Sequence, residues 1–74
     1  MLWITPCDGK WWVVRQRPDG FWCNGYWGET VEAAAYHSSW RGRERHFGSC
    51  QEAQFQHPEA VLWVPSTEQC LPAS

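Results

Sequence analysis

A chain of 74 residues amounts to one domain at most, residues 1–74, with a core near the lower limit of what stands alone, which argues against a deep catalytic cleft. A formal charge of −2 argues against a domain that grips nucleic acid by bulk electrostatics, and no apolar run reaches the ~18 residues that span a bilayer. Hydrophobic residues make up 43% of the chain and seven residues are Trp, well above ordinary use, so the indoles are expected to serve as core filler and as anchors at a binding surface.

In chain order, the N-terminus Met1-Leu2-Trp3-Ile4-Thr5-Pro6-Cys7-Asp8 lacks the basic start and long apolar centre of a signal peptide. A cytosolic protein is expected, with Leu2 to Thr5 as an additional edge strand. Residues 11–17 are β-branched and aromatic, Pro18-Asp19-Gly20 supplies turn residues, and 21–27 is a second aromatic run, so a hairpin is predicted. A three-residue loop with Gly20 left-handed pairs Arg17 with Phe21, Arg15 with Cys23, Val13 with Gly25 and Trp11 with Trp27. Aromatic residues then fall on both faces, where a ribbon with one buried face should be polar on the other. We assign Trp11, Val13, Cys23 and Trp27 to the core, and Trp12, Trp22 and Tyr26 to an exposed contact surface.

Thr30 can cap a short helix from Val31 to His37, with Glu32 at its positive end. Residues 38–46 are polar and broken by Gly42, which predicts a loop with a short strand near 45–47. Ser49-Cys50-Gln51-Glu52 fits a capping box, and Pro58 ends that helix near His57, with Ala53, Phe55 and Ala60 toward the sheet. Residues 60–64 read as a strand buried on both faces or lying beside the hairpin, and 66–74 as a loosely held tail. The fold class is α+β, in the order β-β-α-loop-α-β.

Cys7, Cys23, Cys50 and Cys70 lack the C-x-x-C spacing of a metal knuckle, although His37, His46 and His57 could add ligands. In a reducing compartment they are expected as separate thiols, ahead of two disulfides or a zinc site, and no cofactor is expected. The Cys and His set offers the residue types of nucleophilic catalysis without their arrangement, and no phosphate-binding glycine loop is present, so no enzyme is expected. The segment Trp40-Arg41-Gly42-Arg43-Glu44-Arg45-His46 carries more weight. It holds three of the six basic residues beside an indole, and Arg suits forked contacts with carboxylates or phosphates. Arg15 and Arg17 could extend that patch or stack on Phe21 or Trp27.

The succession Trp12-Val13-Val14-Arg15, Pro18-Asp19-Gly20-Phe21-Trp22, an Ala-rich helix, a Ser-started helix with Glu52-Ala53, and His57-Pro58-Glu59-Ala60-Val61 resembles the layout of small phage and prophage accessory proteins. The resemblance implies a protein that binds and modulates a host protein, as anti-CRISPR inhibitors do, and carries over no functional residue. The expected function is therefore a non-enzymatic modulator that occludes a surface of a host protein or complex. Its anchors are Trp12, Trp22 and Tyr26, and its charged rim is Trp40, Arg41, Arg43 and Arg45. The alternatives are a nucleic-acid module with stacking indoles and, third, a metal-stapled structural domain. No membrane partner is expected.

Overall fold

Three tight turns lay the N-terminal part of the chain out as an antiparallel meander of β1 (Leu2–Cys7), β2 (Lys10–Arg17), β3 (Gly20–Cys23) and β4 (Tyr26–Gly28). The computed structural model describes residues 1–41 and 45–63. Asp8 and Gly9 take φ of 56° and 73°, and Asn24 and Gly25 take 52° and 86°. Two successive left-handed residues give the reversal whose twist matches paired strands, and Asp, Asn and Gly are the residues that tolerate it. The meander continues into α1 (Val31–Arg41), α2 (Cys50–Gln56) and β5 (Val61–Leu62). The sheet order is β4-β3-β2-β1-β5, with β5 parallel to β1. The fold is a small α+β domain, and its order is β-β-β-β-α-α-β.

Several expectations change. The 18–20 turn contains two residues, so Arg17 faces Gly20, Gln16 faces Phe21 and Arg15 faces Trp22, one step away from the predicted register. Because Asn24-Gly25 reverses the chain, β3 stops at Cys23 and never reaches Val13 or Trp11. Phe47 takes the vacant position beside Trp11, with Trp11 N donating to Phe47 O at 3.0 Å and Phe47 N to Trp11 O at 2.8 Å. Strand β1 lies inside the sheet, and β5 is the edge, where Val61 and Leu62 are 41% and 43% exposed.

Both faces of the sheet are packed. On one, Cys7, Trp12, Val14 and Cys23 meet Val31, Ala34 and Ala35 of α1, with Trp3, Phe21 and Trp63 at the margin. On the other, Leu2 and Ile4 meet Ala53 and Ala60, joined by half-buried Trp11, Val13, Phe47 and Cys50. Trp12, expected at the surface, is fully buried, whereas Trp27, expected in the core, is 42% exposed. Arg15 and Arg17 explain the inversion: they share a face with Trp11 and Val13, and sealing two guanidinium groups would cost more than it returned. The face with Trp12 and Val14 carries no such charge, and the Trp12 indole finds its acceptor in the Cys7 carbonyl at 2.9 Å.

Helix α1 starts as expected, with Thr30 Oγ1 accepting from Ala33 N at 3.0 Å. It runs four residues past His37, so Ser38, Ser39, Trp40 and Arg41 are helical. Ser38 does not break the helix because its hydroxyl is satisfied internally, accepting from Asn24 Nδ2 at 2.7 Å and bonding the Cys23 thiol. The Ser49 cap and the end of α2 before His57 are also as expected. Ala53 and Ala60 are buried, but Phe55 faces solvent at 82% exposure. Trp63 follows β5 onto the α1 side, where its Nε1 donates to Glu32 Oε2 at 2.6 Å and its ring meets Trp3 edge-on. Among the described residues no helix is long and apolar enough to cross a membrane. The tail 66–74, Val64, Cys70 and Arg43 lie outside them.

Helix α1 sits so close to β4 that a Cβ on Gly28 would run into the backbone of Ala33 and Ala34. Gly28→Ala is therefore expected to destabilise the fold by ~2 kcal/mol through overpacking, read from the urea midpoint.

Burial pushes the Cys23 pKa up to about 11, with the Ser38 hydrogen bond pulling the other way. The folded state thus holds this proton more tightly than the unfolded chain, whose thiols ionise near ~8.5. The associated stability is complete below that pH and is lost as pH rises toward 11. Unfolding free energy is expected to fall by on the order of 2 kcal/mol across that window, and Cys23→Ala should flatten the fall. Urea titrations at pH 8 and pH 11 measure both.

Candidate binding groove

The seven residues of α2 make a rod about 10 Å long, enough to cover the β1 end of its face of the sheet and no more. The register aligns Leu2, which packs under α2, in one row across four strands with Arg15, Trp22 and Trp27, which lie beyond the helix. Arg17, two residues along β2, stands on the same face ~7 Å further on. This is the surface that the two arginines keep open.

The hairpin turn fixes the indoles of the row. Asp19 Oδ1 accepts from Trp22 Nε1 at 3.1 Å and Asp19 O accepts from Trp27 Nε1 at 2.8 Å. Gly20, at φ 139°, lets the Trp27 ring lie against the backbone, where any side chain would collide with it. From α1, His37 Nδ1 donates to the Trp27 carbonyl at 2.8 Å and holds the outer strand.

The opposite wall is the segment that returns to pair with Trp11. Asn24, in its left-handed turn, donates both to Ser38 Oγ and to the Arg45 carbonyl at 3.3 Å, tying β3, α1 and this segment together. The His46 ring lies 5.5 Å from that of Trp12, and Phe47 meets His57 edge-on at 6.0 Å. These walls enclose an open concavity of about 840 Å³ with a floor of Leu2, Val13, Arg15, Arg17 and Trp22 and sides of Asn24, Gly25, Arg45, His46, Phe47 and His57.

Its electrostatics are one-sided. Three of the chain's six basic residues and two of its three histidines line it, and none of the carboxylates among the described residues does. Arg15, Arg17 and Arg45 make no side-chain ion pair among the described residues. Cations gathered in a concave site repel one another, and a bound anion relieves that repulsion. Among the described residues the lining also holds no thiol, hydroxyl or carboxylate. Cys7, Cys23 and Cys50 lie away from it and form no disulfide among the described residues, and no group of three potential metal ligands occurs among those residues.

Of the expected site residues, Trp22 and Arg45 lie in the groove, joined by Arg15 and Arg17. Trp12 is beneath the surface. Tyr26 pairs with Cys23 and so belongs to the α1 side of the sheet. Trp40 and Arg41 end α1, with the Arg41 guanidinium 4.5 Å above the Trp40 ring and Tyr36 one turn back. That exposed patch is separate from the groove lining. Leu2, Asn24, Phe47 and the groove roles of His46 and His57 were not anticipated. The Asn24-Gly25 pair was the available signal, since it marks a reversal and therefore a vacancy beside β2. No protein-family model matches the chain, nor does any curated protein or solved structure.

Proposed function

We propose that this chain is a non-enzymatic module that binds a larger protein through the groove face of its sheet and occludes a working surface of that partner. One observation carries the reading: Trp22, held at half-burial by Asp19, stands in a single concavity with Arg15, Arg17 and Arg45. Binding energy at protein interfaces concentrates on a few Trp, Tyr and Arg anchors, and arginines orient the encounter. A lining whose described residues hold no thiol, hydroxyl or carboxylate favours binding over turnover. The resemblance of the sequence layout to small phage accessory proteins is the ground for reading the partner as a host defence protein. A nucleic-acid ligand is less favoured, because the net charge of −2 leaves acidic surface outside the groove to repel a long polyanion.

A photo-crosslinking residue at His57, on the groove wall, and another at Phe55, on the solvent side of α2, separate the faces. In nuclease-treated lysate from the source cell, the His57 probe is expected to trap one dominant protein that the Phe55 probe does not. Equal trapping from both positions, or trapping that vanishes with nuclease, would overturn the reading.

A further inference from the structure

We infer that the groove captures an oxyanion, a carboxylate or phosphate group, carried on a side chain of the protein partner, with the neighbouring apolar part of that partner lying on Trp22, Leu2 and Val13. This deepens the proposed function and rests on it. The argument starts from spacing. Arg15 and Arg17 alternate onto one face of β2, and the return segment brings Arg45 and His46 to the same concavity. Three arginines from two chain segments far apart in sequence thus line one concavity, and guanidinium presents the planar fork that matches carboxylate and phosphate oxygens.

The neighbourhood sharpens the choice. The carboxylate nearest to Arg15 and Arg17 along the chain, Asp19, accepts the Trp22 N–H and does not line the groove, and among the described residues neither arginine has an ion-pair partner. Apolar side chains line the same concavity, Leu2 directly across the strand from Arg15, Val13 two residues before it on the same face, and Phe47 from the return segment. A ligand matching both kinds of lining has an anionic group beside an apolar one, the composition of an acidic stretch with interspersed hydrophobic residues. A uniform polyanion satisfies only the arginines. The local extent of the concavity also suits one or two side chains better than a continuous phosphate backbone, which is usually tracked by a longer basic stripe.

The test titrates the full 74-residue chain, labelled with nitrogen-15, with four probes: a blocked peptide alternating Glu and Phe, its Gln counterpart, its phosphoserine counterpart, and an oligothymidine strand. The Glu or phosphoserine peptide is expected to move the Trp22 indole and the Asn24, Gly25 and Arg45 amide resonances, and the Gln peptide to bind at least tenfold more weakly. Stronger binding of phosphoserine than of Glu would assign a phosphorylated partner, and the reverse an acidic one. The Arg15→Gln, Arg17→Gln double variant and, independently, Arg45→Gln should each lose tenfold or more with unchanged melting, since all three side chains are exposed. Equal binding of the Gln peptide would overturn the oxyanion inference while leaving the groove as a protein-binding surface. Groove resonances unmoved by every probe at millimolar concentration would also overturn it, leaving the crosslinking result to judge the wider reading. Tighter binding of oligothymidine than of either acidic peptide would overturn both.

Discussion

Trp12→Ala is expected to remove about 4 kcal/mol of stability, enough to leave much of the population unfolded at ambient temperature. Trp12 is the largest fully buried side chain among the described residues, with no solvent exposure. Truncating it loses the transfer energy of an indole and leaves a cavity between β2 and α1, and large-to-small changes of this kind cost ~3–5 kcal/mol. It also deprives the Cys7 carbonyl of its indole donor in a buried setting. Against this, a domain of such length is stabilised by only roughly 4–11 kcal/mol. Trp11→Ala should cost about half as much, because Trp11 is half-buried and its backbone bonds to Phe47 survive the change. Urea unfolding of the two variants, followed by circular dichroism, decides the matter, and a larger loss for Trp11→Ala would reverse the assignment of the two faces.

Trp22→Ala is expected to behave in the opposite way, costing ~2–4 kcal/mol of affinity for the partner, the scale of an interface anchor, and about 1 kcal/mol of stability. Its stability term is small because the indole is only partly buried, and what the fold loses is one hydrogen bond to Asp19 in an exposed turn. Its affinity term is large because the same bond pre-orients the ring, so little conformational freedom is left to lose on binding. Trp40→Ala, on the separate α1 patch, should leave affinity unchanged. Calorimetry of the three proteins against the crosslinked partner, with thermal melts alongside, tests the separation. Equal affinity losses at Trp22 and Trp40 would move the contact surface to a region spanning both.

The α+β class and the capped starts of both helices were legible in local sequence, because each rests on contacts a few residues apart. Thr30 and Ser49 each accept from a backbone N–H three residues ahead. The hairpin faces were harder to read. Asp8-Gly9 and Asn24-Gly25 are both reversal signals, and reading 21–27 as one strand hid the second of them. The inside of the sheet depended on a comparison across faces: aromatic content alone did not separate Trp11 from Trp12, whereas two arginines on the Trp11 side did. The groove was legible as a parts list, with Trp22, Arg45, Arg15 and Arg17 all marked. Their meeting was not, because it depends on the Trp11–Phe47 bridge, a pairing between distant segments that no local pattern encodes.

The parallel pairing of β5 with β1 has a kinetic consequence. The meander closes through two-residue turns, whereas Trp3↔Val61 joins opposite ends of the described chain, and the Trp63 bond to Glu32 requires α1 to be in place. Loop-closure entropy and contact order therefore put the docking of β5 last in the folding sequence. Arg15, Arg17 and Trp22 belong to the early meander, while Arg45, His46 and His57 arrive with the later half. The floor of the groove thus exists before its walls, and a fluctuation that releases the C-terminal half opens the groove while leaving its anchors in register.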